Sequence, residues 1–385
     1  MISVADRLND VKEYYFSRKL REVRALMAEG KPIINLGIGS PDLKPPKEVT
    51  EALKNADVHS YQSYQGIPEL RAGIASFYNR HYGVSIDQGK EVLPLMGSKE
   101  GILHISMAFL NKGDRVLIPN PGYPTYGSVA RLVQAEPVFY ALKASNSWLP
   151  DLEELRKTDL SRVKIMWVNY PHMPTGSNAT LDLFKDLIAF AKENDILLVN
   201  DNPYSFVLNN HPISVLAVPG AKDVAIELNS LSKSFNMAGW RVGMLLGHER
   251  YLGPVLQVKS NMDSGMFYGI QKGAVEALKL PDHWFDEINE IYKRRRAIVW
   301  QICELLNLDY EKDSSGMFVW AKLPDTSLAS SEEFADELLY KKNVFITPGT
   351  VFGTEGEGYV RFSLCVSIKH LEEVKERIEN ERSDG

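Results

Sequence analysis

Between about Glu91 and Gly247, short apolar runs bounded by Gly, Pro and Asn alternate with segments of helical period: "EVLPLM", "RVLIPN", "PVFYAL", "KIMWVNY", "ILLVND", "VAIELN" and "MLLG". A strand with one wet face alternates apolar and polar residues, whereas these runs are apolar almost throughout. They therefore predict a mostly parallel, seven-stranded sheet covered by helices on both faces. The helical period is plainest in "LDLFKDLIAFAKEND". There Leu183, Leu187, Ile188 and Ala191 fall on one side, and Lys185, Asp186, Lys192 and Glu193 on the other. The middle of the chain reads as an α/β core.

Beyond about Leu280 the pattern changes. A long charged helix, "HWFDEINEIYKRRRAIVWQICELL", precedes the strands "GMFVWAKL" and "GYVRFSL" and a closing helix, "IKHLEEVKERIENER". This mixture predicts a smaller α+β lobe to which the N-terminal segment returns. The expected division is an N-terminal arm with part of the small lobe over 1–45, a large α/β domain over 46–280 and the C-terminal small domain over 281–385.

Composition narrows the function. With 385 residues, 44% hydrophobic and 24% charged, the chain is long enough for two lobes and a large core. A net charge of -6 argues against a nucleic-acid or anionic-membrane surface, and the basic cluster Lys293–Arg296 reads as a solvated helix face. Two cysteines, Cys303 and Cys365, make neither a disulfide framework nor a metal cluster. No metal is expected, and a reducing compartment is. The N-terminus is too charged for a secretory signal, and no apolar run approaches a membrane span. The cytoplasm is the expected location.

Ligands of open α/β sheets bind beyond the carboxyl ends of the strands. There the sequence places Gly97-Ser98-Lys99 at the start of a helix, Tyr123 in "PGYPTY", Asn169 after "KIMWV", Asp201 with Tyr204 three residues later, and Ser230 and Lys233 in "SLSKSFNMAGWR", with Arg241 closing that block. Each has a plain structural alternative. Gly97-Ser98 suits an ordinary helix cap, Tyr123 packing between prolines, Asp201 a turn, and Lys233 the surface. Their joint placement on one sheet edge outweighs the separate alternatives. A phosphate cradle, an arginine, an aromatic plate, a buried carboxylate, a tyrosine hydroxyl and a lysine match pyridoxal phosphate group by group, with the lysine as Schiff-base former.

The "SLSKSFNMAGWRVG" block resembles the lysine signature of the class I/II aminotransferases, the fold-type I pyridoxal-phosphate enzymes. "INLGIGSPDL", "YQSYQGIPELRAGIASFY", "MGSKEG", "PNPGYPTY", "VNYPHMPTG", "VNDNPYSF" and "GYVRFSL" follow in that family's order. The resemblance implies pyridoxal 5'-phosphate bound as a Schiff base to Lys233, which also shuttles the proton. It implies Asp201 on the pyridine nitrogen and Tyr204 on the ring hydroxyl. Gly97, Ser98, Lys99, Ser230 and Arg241 would hold the phosphate, Tyr123 would stack on the ring and Asn169 would line it. Arg361, with the backbone near Gly39, would receive the substrate α-carboxylate. It further implies a homodimer with shared sites, in which Tyr61 (Tyr64 second) reaches the partner subunit's phosphate.

One departure stands out. The family has Asn-Pro-Thr-Gly where this chain has Met173-Pro174-Thr175-Gly176. A thioether is a weak acceptor with no donor, so Asn169, His172 or a water takes over, or substrate handling differs. The implied activity is ping-pong transfer of an amino group from an L-amino acid to a 2-oxo acid. The likeness is strongest to the branch of LL-diaminopimelate, aspartate and aromatic aminotransferases. A β-lyase on a sulfur amino acid such as cystathionine is the alternative, and a catalytically silent regulator, which would need an attached DNA-binding domain, is a third reading. A dinucleotide fingerprint is excluded, because Asp42 stands where its third glycine belongs.

Overall fold

Strands form where the apolar runs lie. Val92–Leu95, Arg115–Asn120, Glu136–Ala141, Val163–Val168, Leu197–Asp201, Ala225–Ser230 and Gly243–Gly247 make one 7-stranded sheet in the computed structural model, which describes residues 2–383. Across the sheet the order is Val92–Leu95, Gly243–Gly247, Ala225–Ser230, Leu197–Asp201, Val163–Val168, Arg115–Asn120, Glu136–Ala141. Gly243–Gly247 runs antiparallel to both neighbours and every other pairing is parallel. The mostly parallel α/β sheet expected from the sequence is thus borne out.

Burial on both faces explains the continuous apolar runs. On one face Leu93, Val116, Ile165, Trp167, Val199, Ile226 and Leu245 pack with residues of helices Ser98–Phe109, Pro124–Leu132 and Glu249–Ser260. On the other, Leu117, Met166, Val168, Leu198 and Leu246 meet helices Pro68–Tyr82, Leu181–Glu193 and Tyr268–Leu278. Each side chain so enclosed contributes roughly 1.5–3 kcal/mol. Helix Leu181–Glu193 buries Phe184, Leu187, Ile188, Phe190 and Ala191, with the Thr180 hydroxyl accepting from the Leu183 N–H at its start.

Parallel strands put their carboxyl ends on one rim. Gly243 opens the antiparallel strand yet pairs with Ser230 and with Leu95, so Arg241, two residues earlier, arrives at that same rim. Beyond the sheet, Ile34–Asn35 pairs in parallel with Val344–Phe345. Phe318–Lys322 lies antiparallel between Tyr359–Ser363 and Asp309–Tyr310, and helix His283–Leu305 packs on the closing helix Ile368–Ser383. The opening of the chain is therefore bonded to its end.

The basic cluster corrects the sequence reading. Lys293 and Arg294 are exposed, but Arg295 is only 3% exposed and ion-paired with Asp42. Arg296 is half-buried, its Nη1 donating to the Ser314 carbonyl at 2.6 Å. The cause is helical periodicity: position 295 shares the inward face with the buried Tyr292 and Val299. Among the described residues no helix is long and apolar enough to cross a membrane.

Candidate active site

The rim opens into a cavity of about 420 Å³ whose lining includes Lys99, Lys233, Arg241 and Arg361 but only one carboxylate, Asp201. Four cations around one acid make a site that attracts anions.

At one end the chain leaves strand Val92–Leu95 through Gly97, whose φ of 91° suits only glycine. A side chain there would run into the Arg241 guanidinium. Helix Ser98–Phe109 begins at once, and its first N–H groups have no helical partners. Arg241 itself takes a left-handed conformation, φ 57°, and its Nη1 donates to the Ala238 carbonyl at 3.0 Å and lies 3.5 Å from Ser232 Oγ. Ser230 Oγ donates to Ser232 Oγ at 2.8 Å. Lys99 Nζ sits 4.5 Å above the Tyr14 ring and 6.0 Å from that of Tyr123. Burial, and then Arg241, lower its pKa. Two cations and two hydroxyls at a helix N-terminus form a phosphate cradle.

In the middle stands Asp201, 4% exposed at the end of its strand. Its Oδ2 accepts from the Tyr126 hydroxyl at 2.7 Å, whereas Oδ1 has no partner. Burial above all lifts the carboxyl from 3.8 to about 7. Tyr126 stacks on Trp167, centroids 4.8 Å apart, and meets Tyr123 edge-on at 5.6 Å. Lys233 Nζ donates to the Gly39 carbonyl at 2.5 Å and lies 5.9 Å from the centre of the Tyr204 ring. Burial lowers this amine from 10.5 to about 8, so far more of it is neutral near pH 7 than of an ordinary lysine. Burial likewise raises the Tyr204 hydroxyl, which stays protonated and able to donate.

At the other end Arg361, 4% exposed, is enclosed by aromatic rings. Its guanidinium carbon lies 3.8 Å from the centre of Phe318, 4.6 Å from Phe352 and 5.7 Å from Phe16. Nη2 donates to the Gly37 carbonyl at 2.7 Å, Nη1 meets only the Met173 sulfur at 3.3 Å, and Nε has no partner. Burial pulls its pKa to about 10. Of the two side chains expected to stand in for the missing asparagine, Asn169 lines the cavity, donating one amide N–H to the Asp201 carbonyl at 2.5 Å and accepting from the Met173 N–H at 2.9 Å. His172 holds Thr175 Oγ1 at 2.8 Å and does not line the cavity. The thioether itself faces the arginine.

The fold thus brings Gly39, Ser98, Lys99, Tyr123, Asn169, Asp201, Tyr204, Ser230, Lys233, Arg241 and Arg361 to one cavity, with Gly97 beneath Arg241. Tyr61 is not brought there; it is 89% exposed elsewhere on the same chain. Sequence reasoning missed Tyr126, Tyr14, Phe16, Phe318 and Phe352, all of which line the cavity. Tyr126 had a signal, standing one helical turn after Tyr123; the others come from remote segments. Ser232 was foreshadowed by the two serines ahead of the lysine. Pyridoxal phosphate fits these residues on two counts: the orphaned Asp201 Oδ1 lacks the donor that a protonated pyridine nitrogen offers, and Lys99, Arg241, Ser230 and Ser232 gather at a helix N-terminus as a donor set suited to phosphate.

Comparison with known proteins follows the same direction. A family model described as aminotransferase class I and II matches residues 31–378. An LL-diaminopimelate aminotransferase of Aquifex aeolicus (strain VF5) is 39% identical over 386 residues, covering 99% of each chain. One from Nitratidesulfovibrio vulgaris (strain DSM 19637 / Miyazaki F) is 40% identical over 384 residues, 98% of each. Among solved structures, substrate-bound BacF from Bacillus subtilis superposes with a TM-score of 0.94 at 35% identity, covering 99% of this chain and 98% of that one. A probable N-succinyldiaminopimelate aminotransferase from Thermus thermophilus gives 0.87 at 32%, covering 94% of this chain and 99% of that one.

Proposed function

The chain belongs to the class I and II aminotransferases, a pyridoxal-phosphate-dependent family acting on amino acids and 2-oxo acids, and from that premise we propose that its ping-pong cycle turns on Lys233. The observation that carries the reading is the placement, in one cavity, of a buried lysine whose pKa is lowered to about 8 and a buried carboxylate short of one hydrogen bond. Held as a Schiff base by Lys233, pyridoxal phosphate would supply an electron-accepting ring system that stabilises negative charge developing at the donor Cα. Each protein group then has a separate task. Lys233 Nζ, displaced by the donor amine, takes the Cα proton and later returns it. Asp201 Oδ1 accepts from the ring nitrogen and keeps it protonated, and Tyr204 donates to the ring hydroxyl. Ser98, Ser230, Ser232, Lys99 and Arg241 hold phosphate, Tyr123 covers the ring, and Arg361 receives the α-carboxylate with its planar fork.

The donor side of the cavity is largely apolar: Phe16, Met173, Phe318 and Phe352 surround Arg361. The relatives' names make LL-diaminopimelate the first donor to test; the lining adds phenylalanine and leucine. The working unit is a homodimer in the cytoplasm. Tyr61, Tyr64, Met262 and Phe267 expose apolar surface, on loops that meet where Gly265 packs against Gln62, and a partner docked there receives Tyr61 at its phosphate.

The test is a half-reaction panel of LL-diaminopimelate, L-aspartate, L-glutamate, L-phenylalanine and L-leucine, followed by the visible spectrum of the bound cofactor, with borohydride trapping and peptide mapping. A spectral shift with a donor and a reduced adduct on Lys233 are expected. A protein that stays colourless with pyridoxal phosphate overturns the reading. Release of ammonia and pyruvate from cystathionine without an oxo-acid acceptor replaces it with a β-lyase.

A further inference from the structure

Two residues the reaction does not use meet in the fold. Arg295, on helix His283–Leu305, gives Asp42 two parallel hydrogen bonds, Nη1 to Oδ1 at 2.6 Å and Nη2 to Oδ2 at 2.8 Å. Its Nη1 also donates to the Leu364 carbonyl at 2.9 Å. Neither side chain lines the cavity.

The stretch that ends at Asp42 does. From Leu36 to Pro46 the backbone has neither helix nor strand, so it is fixed by individual ties, among them the Gly37 and Ile38 N–H groups donating to Asn35 Oδ1 at 3.0 and 3.2 Å, and Gly37 and Gly39 make it intrinsically loose. Its carbonyls are nonetheless committed to the site. Gly37 O accepts from Arg361 Nη2 at 2.7 Å and from Thr347 Oγ1 at 2.9 Å, Ile38 O from Ser363 Oγ at 2.8 Å, and Gly39 O from Lys233 Nζ at 2.5 Å. One end is anchored where Leu36 N–H donates to the Phe345 carbonyl at 2.7 Å. Near the far end the charged anchor is Asp42.

We propose that Asp42 and Arg295 are a positioning pair. They hold the Gly37–Gly39 backbone so that the Gly37 carbonyl steadies the carboxylate-binding Arg361. A bidentate arginine–carboxylate pair fixes direction as well as distance, which a lysine at 295 cannot do. The groups around the phosphate cradle belong to other segments, so the pair acts through Arg361 on the donor and leaves the phosphate grip in place. This rests on the role given above to Arg361.

Asp42→Asn and Arg295→Lys, prepared as full-length holoprotein, test it with the same five donors. The expected result in both is a KM for the reacting donor raised roughly tenfold or more, with pyridoxal phosphate Kd within about twofold of wild type and little change in Tm. Asp42→Asn keeps the test sound if the more buried arginine variant folds poorly. An unchanged KM in Asp42→Asn overturns the proposal. A KM and a cofactor Kd that rise together with a fallen Tm also overturn it, since that is the signature of general loosening. If wild type reacts with none of the five donors, the functional reading fails first and this inference with it.

Discussion

Replacing Asp201 by Asn is expected to stabilise the cofactor-free protein while damaging the enzyme, and the stabilisation should depend on pH in a fixed direction. Burial raises the carboxyl from 3.8 to about 7, and one of its oxygens has no partner. An acid whose pKa is raised in the fold binds protons more tightly there than in the unfolded chain. Its stabilising contribution is therefore complete below about pH 3.8 and lost as pH rises to about 7. The interval of 7 − 3.8, about 3 units, corresponds to about 4 kcal/mol against the cofactor-free fold at pH 8. Asparagine removes the buried charge but leaves an amide N–H partly unpaired, a cost of about 1–3 kcal/mol. The net gain for Asp201→Asn is then roughly 1–3 kcal/mol at pH 8 and turns into a loss of roughly 1–3 kcal/mol near pH 4, where the amide cost stands alone.

The assay is the thermal midpoint of both proteins without cofactor from pH 4 to pH 9. The variant's advantage should grow up to about pH 7 and level off above it. Pyridoxal phosphate inverts the order: a protonated ring nitrogen at Oδ1 makes the carboxylate favourable, so the cofactor raises the wild-type midpoint more than the variant's, most of all at alkaline pH. An advantage that is equal at pH 5 and pH 8, or equal stabilisation of both proteins by the cofactor, refutes the reasoning.

Three further substitutions probe the ends of the cavity. Gly97→Ala forces a side chain onto a left-handed backbone and into the Arg241 guanidinium, so titration should show pyridoxal phosphate Kd weakened about 10- to 100-fold; unchanged binding would sink the cradle assignment. Met173→Asn gives Arg361 Nη1 a charge-assisted acceptor in place of a sulfur at 3.3 Å. Donor KM in the half-reaction should fall roughly three- to tenfold, and an unaltered KM removes the idea that the thioether matters. Arg361→Lys keeps a charge but loses the fork, so donor KM should rise on the order of 100-fold with the cofactor spectrum intact; a spectrum that changes as well would place Arg361 at the cofactor instead.

The sheet was legible because its strands are short, largely apolar runs, a pattern with no dependence on distant residues. The phosphate and ring-binding residues were legible for a related reason. Gly97, Asp201 and Ser230 each stand at or just beyond a strand end, so predicting the strands predicted the rim. Arg295 was misread because consecutive charges look solvated in a linear text, while one position in a helix can turn inward alone. Phe16, Phe318 and Phe352 carry no local mark at all; they reach Arg361 only because the opening and closing parts of the chain are joined.

That division of what could be read is also a division of labour. The cofactor half of the cavity is assembled from neighbouring strand ends of one sheet, whose spacing is set by backbone pairing. The donor half depends on long-range closure, in which Ser363 N–H reaches the Leu36 carbonyl at 2.7 Å and Arg361 reaches Gly37. A hydrogen-bonded strand ladder is rigid, whereas an irregular segment between two glycines yields whenever its anchors yield. Substitutions at the joined ends of the chain should therefore change which amino acid is accepted long before they change whether the phosphate is held, because the phosphate cradle and the arginine grip are built from different backbone segments.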